Sequence, residues 1–227
     1  MLLRSFESLP ERMRVPVVEA YYGMLSEKRG ELFAKRLFDV TVSALLLLLL
    51  SPLFLALSLY VKAGSKGGAF FCQKRVTRNL SEFSIYKFRT MYDDSGPKGP
   101  LLTSADDGRV TKAGKRLRKS RLDELPQLLN VLKGDMSFVG TRPEVPAYVE
   151  RYTDEMLATL LLPAGITSEA SIRYRNEGEM LKRAGDAEAA YVEEILPGKM
   201  LLNLAYLRDY SFMSDMKILL KTLLGRE

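Results

Sequence analysis

The pattern of apolar and polar positions is dominated by one uncharged run over residues 40–61, with an unbroken leucine stretch at 45–50. As an α-helix this run would be roughly 33 Å long, at about 1.5 Å per residue, which is enough to cross the apolar interior of a bilayer. Pro52 lies near its midpoint, where a proline removes a backbone hydrogen bond and bends a helix. The neighbouring Ser51 hydroxyl can bond to a backbone group that such a bend frees. The run therefore predicts a membrane helix with a break at Ser51 and Pro52.

Basic residues flank this run on both sides: Lys28, Arg29, Lys35 and Arg36 precede it, and Lys62, Lys66, Lys74, Arg75 and Arg78 follow it. Lysine and arginine next to membrane segments tend to stay on the cytoplasmic side, so a crossing helix would put one cluster on the wrong side. A hairpin that enters and leaves by the same face satisfies both clusters. Proline kinks also occur in crossing helices, so the pattern alone leaves both topologies open.

The remaining chain predicts an α/β fold class that is mostly helical with a small β-hairpin. Residues 1–34 mix charged and apolar positions and predict a peripheral helix, whereas strand-like runs at 69–76 and 82–90 predict a hairpin that turns at Arg78 and Asn79. The Gly- and Pro-containing stretches at 93–110 and 134–146 predict loops. Further helices are predicted over residues 112–120, 125–132, 147–161, 177–195, 198–208 and 211–224.

Composition limits the chemistry that this chain can perform. With 47% hydrophobic and 27% charged residues it can bury a core, and its net charge of +6 suits an anionic partner such as a nucleic acid, a lipid headgroup or a phosphorylated substrate. Cys72 is the only cysteine, which excludes an internal disulfide, and the chain has no histidine. Zinc sites built on histidine and Ser-His or Cys-His catalysis are therefore excluded, and any metal would be a hard cation bound by carboxylate oxygens.

Two adjacent carboxylates, Asp123 and Glu124, lie among cations at a predicted helix start, where Arg118, Lys119 and Arg121 precede them. Nearby cations favour the ionised carboxylates, and an ionised aspartate is a competent nucleophile toward phosphorus. The neighbouring glutamate could hold Mg²⁺, which would shield phosphate charge. Acidic residues are also common as caps in the first turn of a helix, so the local sequence leaves a capping role open.

Three further cations are candidates for binding phosphate. Arg142 lies in the turn 140–146 (GTRPEVP), between residues that constrain the backbone, and a planar guanidinium can grip two phosphate oxygens. Lys87 and Arg89 alternate with aromatic residues in 86–91 (YKFRTM). Each of these cations could equally be a solvated residue on a surface turn or on the outer face of a hairpin.

Taken in order, several segments closely resemble the bacterial sugar transferase family, the monotopic polyprenyl-phosphate phosphoglycosyl transferases. The resemblance covers roughly residues 33–225 and is carried by 35–40 (KRLFDV), the apolar run with Ser51 and Pro52, 86–91 (YKFRTM) and 122–140 (LDELPQLLNVLKGDMSFVG). The first 30 residues lie outside it and are too short for the additional membrane bundle of larger members. The chain is therefore similar to the small, single-domain type.

The resemblance implies a function and a role for each candidate residue. Asp123 would attack the β-phosphate of a UDP-sugar, release UMP and hold the phosphosugar covalently until polyprenyl (undecaprenyl) phosphate accepts it, as the first membrane step of glycoconjugate assembly. Glu124 matches the Mg²⁺ ligand of the family, and Arg118 and Arg142 match positions that bind phosphate. Lys87, and with it Arg89, falls in a basic motif that lines the site.

The resemblance also implies a domain organisation and a location. A re-entrant helix over 35–63, broken at Ser51 and Pro52, would follow the peripheral segment 1–34 and seat a catalytic domain, 64–227 with amphipathic interfacial helices, on the cytoplasmic face of the bacterial inner membrane. The implied partners are the UDP-sugar, polyprenyl phosphate and membrane lipids, but no nucleic acid. A homodimer and downstream glycosyltransferases are further partners that the sequence leaves open.

The chain departs from the family pattern at two places. Thr141 replaces a usual proline, which predicts a looser turn before Arg142, and 163–171 (PAGITSEAS) lacks the continuation Gly-Trp-Ala-Gln after its Thr167. These departures concern sugar selection more than phosphoryl chemistry. A non-catalytic membrane adaptor with a basic surface is the main alternative function. A nucleic-acid-binding protein fits poorly, because the basic residues are dispersed and the leucine run has no place in it.

Overall fold

The computed structural model describes residues 3–92 and 107–225, so residues 93–106 of the predicted loop lie outside the described residues. The described chain is mostly helical with two small sheets, as predicted. Its strands are β1 (Phe70–Val76), β2 (Glu82–Phe88), β3 (Met136–Val139) and β4 (Ala164–Thr167). Its helices are α1 (Pro16–Ser26), α2 (Arg29–Leu49), α3 (Ser51–Gly64), α4 (Lys112–Lys119), α5 (Gln127–Lys133), α6 (Pro146–Val149), α7 (Glu169–Arg173), α8 (Glu177–Arg183), α9 (Ala187–Ala190), α10 (Leu196–Arg208) and α11 (Phe212–Leu224).

The apolar run forms the bent helix pair α2 and α3, whose axes differ in direction by 64°. The break falls at Leu50, and the Ser51 hydroxyl donates a hydrogen bond of 2.8 Å to the carbonyl of Leu48 while Pro52 lies in the first turn of α3. The predicted break at Ser51 and Pro52 is confirmed. Within residues 3–92 and 107–225 no single helix has both the length and the apolar character to cross a membrane, but this bent pair has them together.

The first half of α2 is fixed to the rest of the domain by polar side chains. Lys35 is buried and its Nζ donates to a carboxylate oxygen of Asp215 at 2.6 Å and to the carbonyl of Val139 at 2.7 Å. Arg36 donates to carbonyls at the end of α5, and Asp39 accepts hydrogen bonds from the start and middle of β3. The second half of α2 differs, since it carries exposed leucines; the exposed fraction of Leu48, for example, is 73%. One helix therefore joins an exposed apolar segment to a polar anchor.

The predicted hairpin is confirmed: β1 and β2 pair antiparallel, with Phe70 opposite Phe88 and Val76 opposite Glu82. Its turn includes Asn79 and Leu80, both with positive φ.

A second pairing was absent from the prediction. β3 and β4 run parallel, with Met136 opposite Ala164. β3 lies in the stretch 134–146 that was predicted as a loop, and β4 lies in a segment for which no element was predicted. Their close approach depends on two glycines, because a Cβ on Gly140 would overlap the carbonyl of Pro163 and a Cβ on Gly165 would overlap the backbone of Gly140. Parallel strands this short carry a weak alternation signal, so the loop assignment at 134–146 missed β3.

The N-terminal segment is helical as predicted, but it is not peripheral to the packed core. Side chains of α1 and of the turns before it, including Met13 and Leu25, are fully buried against α10 and the turn Met156–Leu161. The long helices predicted over 147–161 and 177–195 are also corrected. The first is divided between α6 and the 3₁₀ turn Met156–Leu161, and the second into α8, α9 and a π-helical segment that begins at Tyr191. The helices predicted over 112–120, 125–132, 198–208 and 211–224 are confirmed as α4, α5, α10 and α11.

Candidate active site

Asp123 and Glu124 lie in a single 3₁₀ turn, Leu122–Glu124, between α4 and α5. Arg121 enters the turn with a left-handed backbone (φ 57°), which directs the chain away from the axis of α4. The N-cap of α5 is Pro126, so neither carboxylate occupies the capping position. The structure thus disfavours the capping role that the sequence left open.

Glu124 lies between two cations from distant parts of the chain. Its Oε1 accepts hydrogen bonds of 2.8 Å from Lys87 Nζ, on β2, and of 2.8 Å from Arg142 Nη2, in the segment after β3. Its Oε2 lies 3.9 Å from Arg121 Nη1. The structure therefore brings four of the predicted residues together, because Asp123 is the immediate neighbour of Glu124 and lines the same cavity as Lys87 and Arg142.

The two neighbouring carboxylates have opposite electrostatic environments. Burial, and next the charge of Glu124, raise the pKa of Asp123 above its ordinary value, although Lys87 and Arg118 oppose the shift. Burial alone would also raise the pKa of Glu124, but Arg142 and Lys87 outweigh it and hold that pKa well below its ordinary value. The predicted stabilisation of the ionised form therefore applies to Glu124 more than to Asp123. Adjacent acids with separated pKa values are typical of sites where the two have different roles.

Arg118 is positioned by close packing between α4 and the end of β2. Its Nε donates to the Thr90 hydroxyl at 2.9 Å, and the backbone N–H of Thr111, the N-cap of α4, donates to the Thr90 carbonyl at 2.9 Å. Gly114 permits this approach, because a Cβ there would overlap the backbone of Thr90. Arg118 contributes positive charge near Asp123. Burial lowers the pKa of Arg118 and raises the pKa of Asp123, and the attraction between the two side chains opposes both shifts.

Arg89 lies at the cavity but is bonded away from the carboxylates. Its guanidinium donates to the carbonyls of Lys66 and Ser65, in the loop that follows α3. These bonds tie the hairpin to the end of the bent helix pair. Phosphate binding by Arg89 stays a prediction, and its observed partners are structural.

These groups line a polar cleft of about 890 Å³, which we call the polar cavity. Arg121, which the sequence placed among the cations beside the two carboxylates, also lines this cavity. Sequence reasoning missed other residues of its walls: Tyr174, Arg175, Glu177, Tyr191 and Lys199. It also missed the buried Asn130, whose amide donates to the Ser84 carbonyl and whose oxygen accepts from the Tyr86 backbone N–H. Asn130 thereby holds β2, with Lys87, against α5. A buried asparagine inside the helical motif 122–140 was the available signal.

The turn before Arg142 is anchored by the second sheet. The backbone N–H of Gly165 donates to the carbonyl of Thr141 at 2.9 Å, and that of Gly140 donates to Thr167 at 3.0 Å. Thr141 is buried. The ladder between β3 and β4 therefore holds the residue that departs from the family pattern.

The residues present fit a magnesium ion only if ligands from outside the protein complete its coordination. No group of three or more acidic, cysteine or histidine side chains that could bind a metal occurs in the described part of the chain. Mg²⁺ commonly binds one or two carboxylates together with substrate phosphates and water, and Asp123 and Glu124 supply two adjacent carboxylates. The donor set suits a shared site, with phosphate oxygens completing the coordination.

Comparison with known proteins gives a family and several relatives. The family described as bacterial sugar transferase matches residues 30–225. An undecaprenyl-phosphate glucose phosphotransferase of Komagataeibacter xylinus is 38% identical over 200 residues, which cover 85% of this chain and 36% of that protein. A UDP-glucose:undecaprenyl-phosphate glucose-1-phosphate transferase of Escherichia coli (strain K12) is 35% identical over 218 residues, covering 94% of this chain and 44% of that protein. An uncharacterised sugar transferase of Bacillus subtilis (strain 168) is 39% identical over 188 residues, which cover 83% of this chain and 84% of that protein.

This chain spans less than half the length of the first two relatives and most of the third. The matched region contains the bent helix pair, both sheets and every residue of the Glu124 cluster. The chain belongs to the bacterial sugar transferase family.

Proposed function

We propose that this protein transfers a sugar phosphate from a UDP-sugar to undecaprenyl phosphate, with Asp123 as the nucleophile. The observation that carries the proposal is the Glu124 carboxylate held at 2.8 Å by both Lys87 and Arg142, directly beside the buried Asp123. Such a cluster is suited to phosphate chemistry, since its cations can neutralise phosphate oxygens around an attacking carboxylate. The names of the relatives from K. xylinus and E. coli supply the donor and acceptor classes.

In the first half-reaction, the donor diphosphate lies in the polar cavity with its oxygens near Lys87, Arg118 and Arg142. An oxygen of ionised Asp123 forms a bond to the β-phosphorus while the bond from that phosphorus to the bridging oxygen breaks, and UMP leaves with the bond's electron pair. Burial raises the pKa of Asp123, which makes this carboxylate more basic than a solvated one. The product is a phosphosugar bonded to Asp123.

In the second half-reaction, a phosphate oxygen of the lipid attacks the same phosphorus. The bond between phosphorus and Asp123 breaks, which regenerates the carboxylate and leaves the sugar linked to the lipid through a diphosphate. The two substrates need not occupy the site together, because the covalent intermediate carries the phosphosugar between them. Lys87 and Arg142 keep Glu124 ionised throughout and hold it in place beside the reacting group.

Glu124, with the phosphate oxygens of the donor, would hold Mg²⁺. When bound, this ion supplies positive charge that reduces repulsion between the diphosphate and the Asp123 carboxylate. The Glu124 carboxylate would contribute to this site while Lys87 and Arg142 hold its Oε1 and Arg121 lies 3.9 Å from its Oε2.

We further propose that α2 and α3 form a re-entrant hairpin in the cytoplasmic membrane, with the catalytic domain 64–227 on the cytoplasmic face. The 64° bend at Leu50 and the basic residues at both ends support this topology. The test uses a Cys72→Ser background with one cysteine introduced at Arg29 or at Lys66, both exposed. Labelling of both positions from the same side is expected, whereas labelling from opposite sides would indicate a crossing helix.

The function is tested with purified protein, undecaprenyl phosphate and a panel of UDP-sugars, with UMP release as the readout. Asp123→Asn should lower turnover at least about a thousandfold, as loss of a nucleophile does in other enzymes. Asp154→Asn, at an exposed turn, is the matched control and should retain activity. With labelled donor and no acceptor, mass spectrometry should find the phosphosugar on the peptide that contains Asp123. Unchanged turnover in Asp123→Asn would remove this residue from the mechanism, and membrane binding without turnover of any donor would favour the adaptor function.

A further inference from the structure

A second cavity, of about 430 Å³, lies beside the polar cavity, and we call it the apolar cavity. Its walls are mainly apolar and come from five parts of the chain: Leu46 of α2 with Leu50 at the helix break, Leu125 and Leu128 around the start of α5, Phe138 of β3, Ile166 of β4 and Ile172 of α7. A nucleotide sugar, with its charges and hydroxyl groups, would lose hydrogen bonds to water in such a cavity without replacement. The lining instead suits a hydrocarbon chain.

The two cavities share one wall, formed by Arg121, Glu124, Ser171 and Arg175. Glu124 faces both groups of cations, since its Oε1 binds Lys87 and Arg142 while its Oε2 lies nearest to Arg121. Any ligand that fills the apolar cavity to this wall therefore ends beside the Asp123–Glu124 pair.

The wall and mouth of the apolar cavity carry positive charge. Arg121 and Arg175 are exposed there, and Lys221 of α11 lines the cavity near Thr222. Arg175 donates to the carbonyl of Gly225 at 3.1 Å, and Lys221 pairs with Glu169 at 2.7 Å, so both cations are oriented by the C-terminal helix and its surroundings. Three cations next to an apolar chamber complement a phosphate monoester attached to a hydrocarbon chain.

The helix break forms part of the lining of the apolar cavity. Leu50, the residue at which α2 ends and the chain bends, is part of its lining. Neighbouring leucines on the outer side of the break, Leu48 and Leu49, are exposed. At the break, the residue that lines the cavity is thus adjacent in the chain to leucines of the exposed apolar surface.

We infer that the apolar cavity binds the first isoprenoid units of the acceptor lipid and that Arg121, Arg175 and Lys221 hold its phosphate next to Asp123. This inference rests on the proposed function and assigns the place of its second substrate. The donor occupies the polar cavity, the acceptor enters from the helix break, and the shared wall is where the phosphosugar changes carrier. Of the residues in the shared wall, Ser171 belongs to the segment that departs from the family pattern after Thr167.

The first test measures binding without turnover. A polyprenyl phosphate with a diazirine on its first isoprene unit is photoactivated with the Asp123→Asn protein in lipid nanodiscs, and labelled residues are mapped by mass spectrometry. Labels are expected on Leu46, Leu50, Ile166 or Ile172, with competition by unlabelled polyprenyl phosphate but not by the polyprenyl alcohol or by phosphatidylglycerol. Labels confined to exposed leucines of α2 and α3, or competition by all three lipids, would overturn the inference.

The second test separates the two substrates kinetically. Lys221→Ala should raise the KM for undecaprenyl phosphate about tenfold, because Lys221 lines the apolar cavity and not the polar one. Exchange of labelled UMP into the UDP-sugar, measured without acceptor, should change by less than about twofold. Lys217→Ala is the matched control, since Lys217 is exposed on the same helix and lines neither cavity. Equal losses in exchange and in transfer would place Lys221 in donor binding and overturn its assignment to the acceptor.

A cavity-filling variant provides a test that does not depend on a charge. Ile166→Trp should reduce transfer to undecaprenyl phosphate about tenfold or more and leave transfer to a short alkyl phosphate much less affected, with Leu201→Trp, on the exposed face of α10, as the control. Equal effects on both acceptors would contradict a hydrocarbon site. If the unaltered protein shows no UMP exchange, the covalent mechanism fails, but photolabelling still decides where the lipid binds.

Discussion

The polar and apolar cavities lie on either side of one carboxylate, yet different forces build them. In the polar cavity, Lys87 and Arg142 are positioned by ion pairs with Glu124, so a change of one charge alters the whole cluster. In the apolar cavity, the walls are packed side chains from separate elements. Two of these elements, α2 and α11, are joined by the buried ion pair between Lys35 and Asp215. The polar cavity depends on which side chains occupy a few positions, whereas the apolar cavity depends on how the helices pack against one another.

This difference has a functional consequence. Changes to the polar cluster should affect the chemical step, which both half-reactions share. Changes to the docking of helices should affect the acceptor first, because α2 and α11 line the apolar cavity and not the polar one.

The largest effect is expected for Glu124→Gln, which keeps the shape of the side chain and removes its charge. Lys87 and Arg142 would then lie close together without a shared anion, and UMP release should fall about 10²- to 10³-fold. The free energy of unfolding should fall by about 1–2 kcal/mol, a modest loss because both cations are partly exposed to water. Glu179→Gln, which removes an exposed pair with Arg183, is the control. A variant that lost stability but kept its turnover would reduce the cluster to a structural role.

A smaller effect on chemistry and a large one on folding are expected for Lys35→Met. Lys35 and Asp215 are each 2% exposed, so the substitution leaves a buried carboxylate with the Tyr206 hydroxyl as its remaining partner. Loss of one partner of a buried pair costs about 3–5 kcal/mol. Denaturation in detergent should show this loss, and transfer to the acceptor should fall more than UMP exchange. The double variant Lys35→Met, Asp215→Leu should recover part of the stability, and a double variant no more stable than the single one would argue against an isolated pair.

Local signals in the sequence predicted much of this fold. The hairpin, the break at Ser51 and Pro52, and helices α4, α5, α10 and α11 follow from runs, turns and caps within a few residues. The parallel pair β3 and β4 did not, because its partners are distant in the chain and each strand is short. The continuous helix predicted over 177–195 was wrong for a local reason. Helix α8 ends at Arg183, and the Asp186 side chain caps the start of α9 by accepting hydrogen bonds from the backbone N–H groups of Glu188 and Ala189.

The candidate site shows the same limit. Asp123, Glu124, Lys87, Arg118 and Arg142 stand out as charged residues in recognisable segments, and the structure brings them to one cavity. Arg89 lies in the same motif, but its guanidinium binds loop carbonyls, which no spacing rule could indicate. The apolar cavity was invisible in the sequence, because leucine and isoleucine at its walls have the same pattern as core residues. Only the three-dimensional arrangement of the elements shows that these side chains line a cavity instead of filling a core.

A third prediction concerns the pH dependence within the polar cavity. Asp123 must be ionised to attack, so activity is lost as the pH falls through its pKa. Arg118→Gln removes a charge that lowers this pKa and should move the acid limb of kcat/KM for the UDP-sugar to higher pH. Glu124→Gln removes a charge that raises the pKa of Asp123 and should move the limb to lower pH. Lys115→Gln, at an exposed position on α4, is the control for general charge. Shifts in the same direction for both variants would mean that another group controls the limb.

The smallest expected effect comes from the mouth of the apolar cavity, where Glu169 pairs with Lys221 at 2.7 Å and the two side chains are 37% and 41% exposed. An exposed pair contributes about 0–1 kcal/mol, so Glu169→Gln should change the free energy of unfolding by less than about 1 kcal/mol. Without its carboxylate partner, Lys221 can attract the acceptor phosphate more strongly. The KM for undecaprenyl phosphate should therefore fall about two- to threefold, a gain equivalent to the pair that was lost. The KM for the UDP-sugar should stay constant.

Glu179→Gln is the matched control for this last change, since Glu179 forms an exposed pair with Arg183 on α8 and neither residue lines either cavity. It should leave both KM values unchanged. A rise in the acceptor KM for Glu169→Gln would show that the carboxylate holds Lys221 in its working position instead of competing with phosphate for it. In that case the mouth of the apolar cavity would resemble the polar cluster, because in both regions one particular ion pair would set the geometry.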